Sequence, residues 1–255
     1  MTASGFSAHT GNATDTGRSR SDNQDYFGFY EDEPYGTLWI ICDGMGGAAG
    51  GRTASTMAVD AVREVFQEVR KRDPVAMLGV AIEKANSAIY ALSRREAHLA
   101  GMGTTTAILL IKDGFAHIGH VGDSRIYMIR NGIMTQLTKD HTLVQKMLDE
   151  NTITPEQAVD HPEGHVISRS IGVDKKVELE TRHEPIKVEL QDRFVLCSDG
   201  LTGMVSDDFI REYVHDLEPQ TACRKLVDLA NENGGTDNIT VQVVSIQKES
   251  SIARR

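Results

Sequence analysis

The chain has 255 residues, 27 Lys and Arg against 37 Asp and Glu, and a formal net charge of -10. That carboxylate excess argues against a nucleic-acid binder, which needs clustered basic side chains to displace counterions from phosphates. With 40% hydrophobic and 25% charged residues the chain is globular in composition, and with 5% aromatics its core must be filled by Val, Ile, Leu, Met and Ala.

The N-terminal MTASGFSAHTGN has neither a basic nor an apolar leader region. The longest apolar runs, LWIIC and AILLI, fall far short of the roughly 18 residues of a membrane span, so a soluble cytoplasmic protein is expected. After a glycine cluster, Ala54, Met57, Ala58, Ala61, Val62, Val65, Phe66 and Val69 mark one face of a helix that stops before Asp73-Pro74. From Pro74, Val75, Leu78, Ile82, Ala85, Ile89 and Leu92 predict a second long helix, antiparallel to the first and packed on a sheet. Residues 104–138 turn β-branched and are divided by Asp113-Gly114, Gly122-Asp123 and Asn131-Gly132, which predicts an antiparallel meander.

Residues 139–171 carry one short amphipathic stretch (Leu143, Val144, Met147, Leu148) among turn residues and read as a surface flap. Strands are expected in VELETRHEPI, KVEL and RFVLCSD, helices near 207–215 and 219–232, and a closing strand in NITVQVVSI. There is no internal repeat and no linker. The reading is therefore one domain over 1–246 with the flap at 139–171 and a frayed polar tail at 247–255, of α+β class with mostly antiparallel sheets.

Four aspartates share one pattern, an apolar strand meeting Asp beside a small or polar residue: Asp43 in LWIICDGMGG, Asp123 in HIGHVGDSR, Asp199 in FVLCSDGL and Asp237 in GGTDNITV. Asp25, in RSRSDNQD, precedes the apolar run YFGFY. Each alone reads as a turn dipeptide. If their strands are neighbours, several carboxylates enter one cleft, where they repel unless divalent cations lie among them. Oxygen donors without His or Cys suit Mg²⁺ or Mn²⁺, and two such ions about 3.5–4 Å apart can activate water for in-line attack on phosphorus. Arg20, in a polar stretch just before Asp25, could clamp two phosphate oxygens bidentately, with Arg18 as a competitor.

These residues carry a resemblance. TDTGRSRSDNQD, DGMGG, GMGTT, GDSRIY, VISRSIG, CSDGL and GGTDNITV, in this order from about residue 6 to 246, resemble the metal-dependent protein phosphatases, the type 2C serine/threonine phosphatases, in their compact bacterial form. The resemblance implies a four-layer α-β-β-α sandwich of two antiparallel sheets flanked by helices, with metals in a cleft at one end. It implies that Asp43 bridges two ions, that the Gly44 carbonyl binds one and Asp199 and Asp237 the other, and that Asp25 acts through coordinated water. Asp123, with Asp199, matches a weaker third-metal position, and Arg20 matches the phosphate-binding arginine. The nucleophile would be metal-bound water, with no phosphoenzyme. The substrates would be phosphorylated proteins, with a cognate Ser/Thr kinase as counterpart, and the chain a monomer. With the cations bound, the cleft turns from repelling a phosphate dianion to attracting it. Met45 and Ala48 stand where relatives carry histidines, which leaves leaving-group protonation to a bound water ahead of His161 or His165.

Other chemistries fit less well. Gly44-x-Gly46-x-x-Ala49 has dinucleotide-loop spacing, but Asp43 would face the pyrophosphate, and the acidic position about 20 residues on would fall inside a helix. The sixth residue after each cysteine is Ala48, Gly203 or Leu229, which excludes a cysteine phosphatase with its Cys-x5-Arg loop. Cys42, Cys197 and Cys223 read as buried, reduced packing residues, as do Met128, Met134, Met147 and Trp39. His161 and His165 have zinc-like spacing, but Pro162 and Gly164 break any helix between them. A non-catalytic phosphopeptide-sensing module is the functional alternative, and it would be expected to have lost metal carboxylates that are all present here.

Overall fold

The structure, a computed structural model, describes residues 6–32, 35–68, 73–159, 161–181 and 184–248. The chain opens with strands β1 (Phe6–Asp15), β2 (Tyr26–Asp32), β3 (Gly36–Cys42) and β4 (Gly44–Met45), followed by helices α1 (Gly47–Glu68) and α2 (Pro74–Arg95). Strands β5 (Gly103–Thr104), β6 (Thr106–Lys112), β7 (Phe115–Val121), β8 (Arg125–Arg130) and β9 (Ile133–Gln136) come next, then helices α3 (Leu143–Asp149) and α4 (Pro155–Ala158). Strands β10 (Glu180–Thr181), β11 (Ile186–Lys187) and β12 (Arg193–Cys197) lead into helices α5 (Asp199–Thr202), α6 (Asp207–Asp216) and α7 (Pro219–Glu232), and β13 (Ile239–Lys248) closes the chain.

Two antiparallel sheets form the centre. One has the order β1-β13-β12-β8-β9, and the other β10-β7-β6-β3-β2 with β11 also on β7. Alternation along the strands assigns the layers. In β3, Trp39 and Ile41 point between the sheets, whereas Leu38, Ile40 and Cys42 point at α1 and α2. In β12, Phe194 and Leu196 point between the sheets, and Val195 and Cys197 point at α6 and α7. Strands covered on both faces must be apolar throughout, which is why LWIIC and FVLC are unbroken runs. The α-β-β-α sandwich expected from the resemblance is the architecture observed.

Helix α2 starts as its sequence predicts: the Asp73 side chain accepts from the Ala76 N–H, and Pro74 fills the first turn. Among the described residues α2 alone is long and apolar enough to cross a membrane by length and composition. Here Met77, Leu78, Ile82 and Ile89 are core residues against the sheet. Its apolar residues lie at helical spacing and not in one run.

Several expectations need correction. Helix α1 begins at Gly47, inside the glycine cluster, where Gly51 lies so close to the Gly44 backbone that a Cβ would fall 2.7 Å from it. The 104–138 segment is two hairpins in different sheets. Asp113-Gly114 and Asn131-Gly132 turn within a sheet with both residues at positive φ, whereas Gly122-Asp123 carries the chain from one sheet to the other. β1 was not anticipated: FSAHTGNATD is polar and glycine-interrupted, yet it pairs with β13 from Phe6↔Lys248 to Asp15↔Ile239. VELETRHEPI holds only the short β10 and the start of β11, and α5 is an extra helical turn after β12. The tail expected from 247 is still strand to Lys248; residues 249–255 and Val69 lie outside the described residues. The flap is anchored, not loose. His141, Thr142, Val144 and Ile171 are buried, and Thr104 pairs with Ile171.

Candidate active site

Strand register alone brings the five aspartates to one end of the sandwich. In the sheet under α1 and α2, Tyr26 faces Cys42, Ile41 faces Ala107 and Thr106 faces Val121. Asp25, Asp43 and Asp123 are the residues just beyond those pairs. In the other sheet Cys197 faces both Arg125 and Val241, so Asp199 follows β12 at the end where β8 begins and where Asp237 precedes β13.

Asp25 and Asp123 are only 4% and 5% exposed, while Asp43 and Asp199 are partly accessible. Burial, and then the Asp199 and Asp237 charges, push the Asp25 carboxyl up to about 7, against hydrogen bonds from Thr240 and Ser198 that lower it. Burial with the neighbouring Asp199 and Asp140 charges pushes Asp123 up to about 8. Asp43 rises well above the ordinary range through burial and repulsion from Asp25, Asp199, Asp123 and Asp237. Asp199 is also raised, by burial and by Asp237, while a hydrogen bond from Asp43 pulls it down. Oδ1 of Asp25, of Asp123 and of Asp199 is buried with no hydrogen-bond partner. Acceptor oxygens closed off from water in a cluster of like charge have the chemistry of a hard divalent cation's donor set, and these residues fit one.

Among the described residues, no three His, Cys, Asp or Glu side chains are already gathered as a metal cage. Other partners hold the carboxylates in this structure. The Ser198 hydroxyl donates to Asp25 Oδ2 at 2.8 Å, and Asp237 receives the Asn238 N–H and the Arg20 guanidinium, each at 2.8 Å. The five aspartates thus come together at one end of the sandwich, with Arg20 offsetting part of their charge at Asp237.

Arg20 lies on an exposed loop that the fold nevertheless fixes. The Arg18 and Ser19 N–H groups donate to the Gly235 carbonyl at 2.7 and 3.2 Å. Asn238 reaches the loop at three points, accepting from Gln24 N–H at 2.8 Å and donating to the Thr16 and Asp22 carbonyls at 2.9 Å. Between the two arginines, Arg20 is the one whose side chain turns to Asp237. Gly44 sits where a Cβ would fall 2.2 Å from the Gly51 carbonyl oxygen, so only glycine lets this loop lie on the start of α1.

Asn238, Ser198, Thr104 and Thr105 were not singled out from sequence, although each lies in a motif that was. The reading stopped at the carboxylates. The neighbours that donate hydrogen bonds to them, or hold their backbone, carried the missing signal. His161 accepts the Glu163 N–H within the flap and His165 is exposed there, with no metal cluster at either among the described residues.

The sequence model of protein phosphatase 2C matches residues 15–231. Protein phosphatase PhpP of Streptococcus pneumoniae is 39% identical over 247 residues, covering 93% of this chain and 97% of that protein. The serine/threonine phosphatase of S. agalactiae superposes with a TM-score of 0.87 at 35% identity, over 94% of this chain and 99% of that one. The catalytic domain of the serine/threonine protein phosphatase PstP, solved in complex with two manganese ions, superposes with a TM-score of 0.80 at 36% identity, over 95% and 99% of the two chains. A match of this extent, on an end-of-sandwich cleft lined by aspartates, places the chain in the protein phosphatase 2C family.

Proposed function

We propose that this chain is a metal-dependent protein serine/threonine phosphatase that hydrolyses phosphoserine and phosphothreonine on proteins by direct attack of water. The observation that carries the reading is the convergence of Asp25, Asp43, Asp123 and Asp199, all four raised by burial and shared charge, with buried acceptor oxygens left open. In this reading Asp43, the Gly44 carbonyl, Asp199 and Asp237 would hold two Mn²⁺ or Mg²⁺ ions, Asp25 would act beside them through water, and Asp123 with Asp199 would serve a weaker third position. When bound, such ions lower the pKa of water and neutralise charge on the phosphoryl group.

The chain's own groups supply the rest. Arg20, 57% exposed and following the Arg18 and Ser19 N–H groups that donate to the Gly235 carbonyl, swings from Asp237 to grip two phosphate oxygens in a fork–fork pair. Ser198 keeps Asp25 oriented by its short hydrogen bond, and Asn238 keeps the Arg20 loop against the start of β13. Met45 offers no proton, so leaving-group protonation falls to water. The flap borders a separate cavity of about 650 Å³, lined by Lys139, Asp140, Lys146, Asp149, Arg169 and Glu178 and by none of the five aspartates, and in this reading it takes the polypeptide around the phosphorylated residue. We read residues 1–246 as one catalytic domain working as a cytoplasmic monomer, with a Ser/Thr kinase as the enzyme it opposes.

The test is hydrolysis of para-nitrophenyl phosphate with and without Mn²⁺. Activity should require the metal and be lost in Asp199→Ala. Metal-independent turnover, or an Asp199→Ala protein as active as the parent, would reject the proposal.

A further inference from the structure

The GMGTT segment holds the backbone of Asp43 from both sides. The Thr105 N–H and the Thr104 hydroxyl both donate to the Asp43 carbonyl, at 2.8 and 2.7 Å. The Asp43 N–H in turn donates to Thr105 Oγ1 at 2.9 Å. Thr105 Oγ1 also lies 2.7 Å from the hydroxyl of Ser124, the residue after Asp123. Thr105 and Ser124 are 1% and 0% exposed, so water does not replace either partner. The methyl of Thr105 is fitted as closely as its hydroxyl. Gly122 has φ +110°, and a Cβ there would fall 2.5 Å from Thr105 Cγ2. One threonine thus touches the peptide of Asp43 with its oxygen and the loop of Asp123 with both its oxygen and its methyl.

We propose that Thr105 and Ser124 form a positioning bridge that sets the placement of Asp43 relative to Asp123, and so the relation between the two-ion part of the cleft and the weaker third position. The inference rests on the metallophosphatase reading above. Neither residue touches a phosphate; both act through the aspartates. Thr105→Val keeps the shape but leaves the Asp43 N–H and the Ser124 hydroxyl without partners, so Asp43 is held at its carbonyl alone and loses its link to the Asp123 loop. Ser124→Ala cuts the bridge only on the Asp123 side.

Mn²⁺ binding to the full chain is measured by titration calorimetry, with thermal unfolding in EDTA as the control for folding. Thr105→Val is expected to weaken the tight Mn²⁺ sites about tenfold, and Thr105→Ser to recover wild-type affinity within about twofold. Ser124→Ala is expected to weaken the third, loose site several-fold and to leave the tight pair alone. A Thr105→Val protein with wild-type Mn²⁺ affinity but a lower unfolding temperature would show a merely structural threonine and overturn the proposal. So would a Thr105→Ser protein no better than Val. Should Thr105→Val fail to fold, Ser124→Ala decides, and unchanged affinity at every site rejects the bridge. A wild-type chain that binds no Mn²⁺ would instead reject the phosphatase reading itself.

Discussion

Chelating divalent cations and raising the pH should destabilise this protein, a trend opposite to ordinary acid denaturation. An unfolded aspartate titrates at 3.8, whereas the folded structure lifts Asp25 to about 7 and Asp123 to about 8. A carboxyl raised on folding binds its proton more tightly in the folded state. Its contribution is complete below about pH 4 and is withdrawn as the pH climbs through about 7 to 8. At roughly 1.4 kcal/mol per pH unit, Asp25 alone withdraws about 4 kcal/mol, against the roughly 5–15 kcal/mol that holds a typical domain folded. Asp199 is among the causes at both residues, so Asp123 deepens the loss as part of one coupled titration, not as a separate addend. Urea midpoints followed through Trp39, the one tryptophan and fully buried, give the readout. In EDTA the midpoint should fall from about pH 5.5 to 8, in Mn²⁺ that fall should vanish, and Asp25→Asn should reduce the EDTA slope, chiefly below about pH 7, leaving the part that Asp123 carries. A midpoint in EDTA that is level or rising over this range, or an Asp25→Asn protein with the parental slope, would refute the reasoning.

Arg20→Lys removes the fork but keeps the charge, and should raise KM for a phosphopeptide about tenfold with Mn²⁺ affinity unchanged by calorimetry; an unaltered KM would remove Arg20 from phosphate binding. Asn238→Ala leaves Gln24 N–H and the Thr16 and Asp22 carbonyls unpaired, and should cost about 3 kcal/mol in urea unfolding and lower kcat/KM further than stability explains. A loss below about 1 kcal/mol would mean that water replaces all three bonds. Exchanging residues 139–171 for the corresponding flap of a relative should reorder the rates on a panel of phosphoproteins while para-nitrophenyl phosphate turnover holds; an unchanged order would assign specificity elsewhere.

What could be read from sequence follows the physics of each segment. α2 was legible because Asp73-Pro74 caps it and its apolar residues keep helical spacing over a long stretch. The aspartates were legible because an unbroken apolar run ending in Asp is a buried strand reaching a sheet end. β1 was not, since its pairing with β13 is made by backbone groups that polar and glycine residues supply as well as any others. The Gly122-Asp123 crossing looked like the hairpins on either side of it because dipeptide composition does not encode which sheet the next strand joins. Arg20 and Arg18 could not be separated by spacing. The Gly235 carbonyl decides between them by fixing the backbone of one and leaving the other's side chain to turn inward.

The pairing of β1 with β13 also bears on when the protein becomes competent during its synthesis. Phe6 lies opposite Lys248, so the first strand made waits for the last, and the intervening chain must be complete before that sheet closes. Asp237 and Asn238 emerge late too, and with them the bonds that hold Thr16, Asp22 and the Arg20 side chain. A nascent chain from which β13 has not yet emerged therefore lacks a finished cleft. Because β1 and β13 bring Phe6 and Lys248 side by side, a circular permutant that links these two residues and opens the chain at the Asn131-Gly132 turn would convert this longest-range contact into a local hairpin and should fold faster.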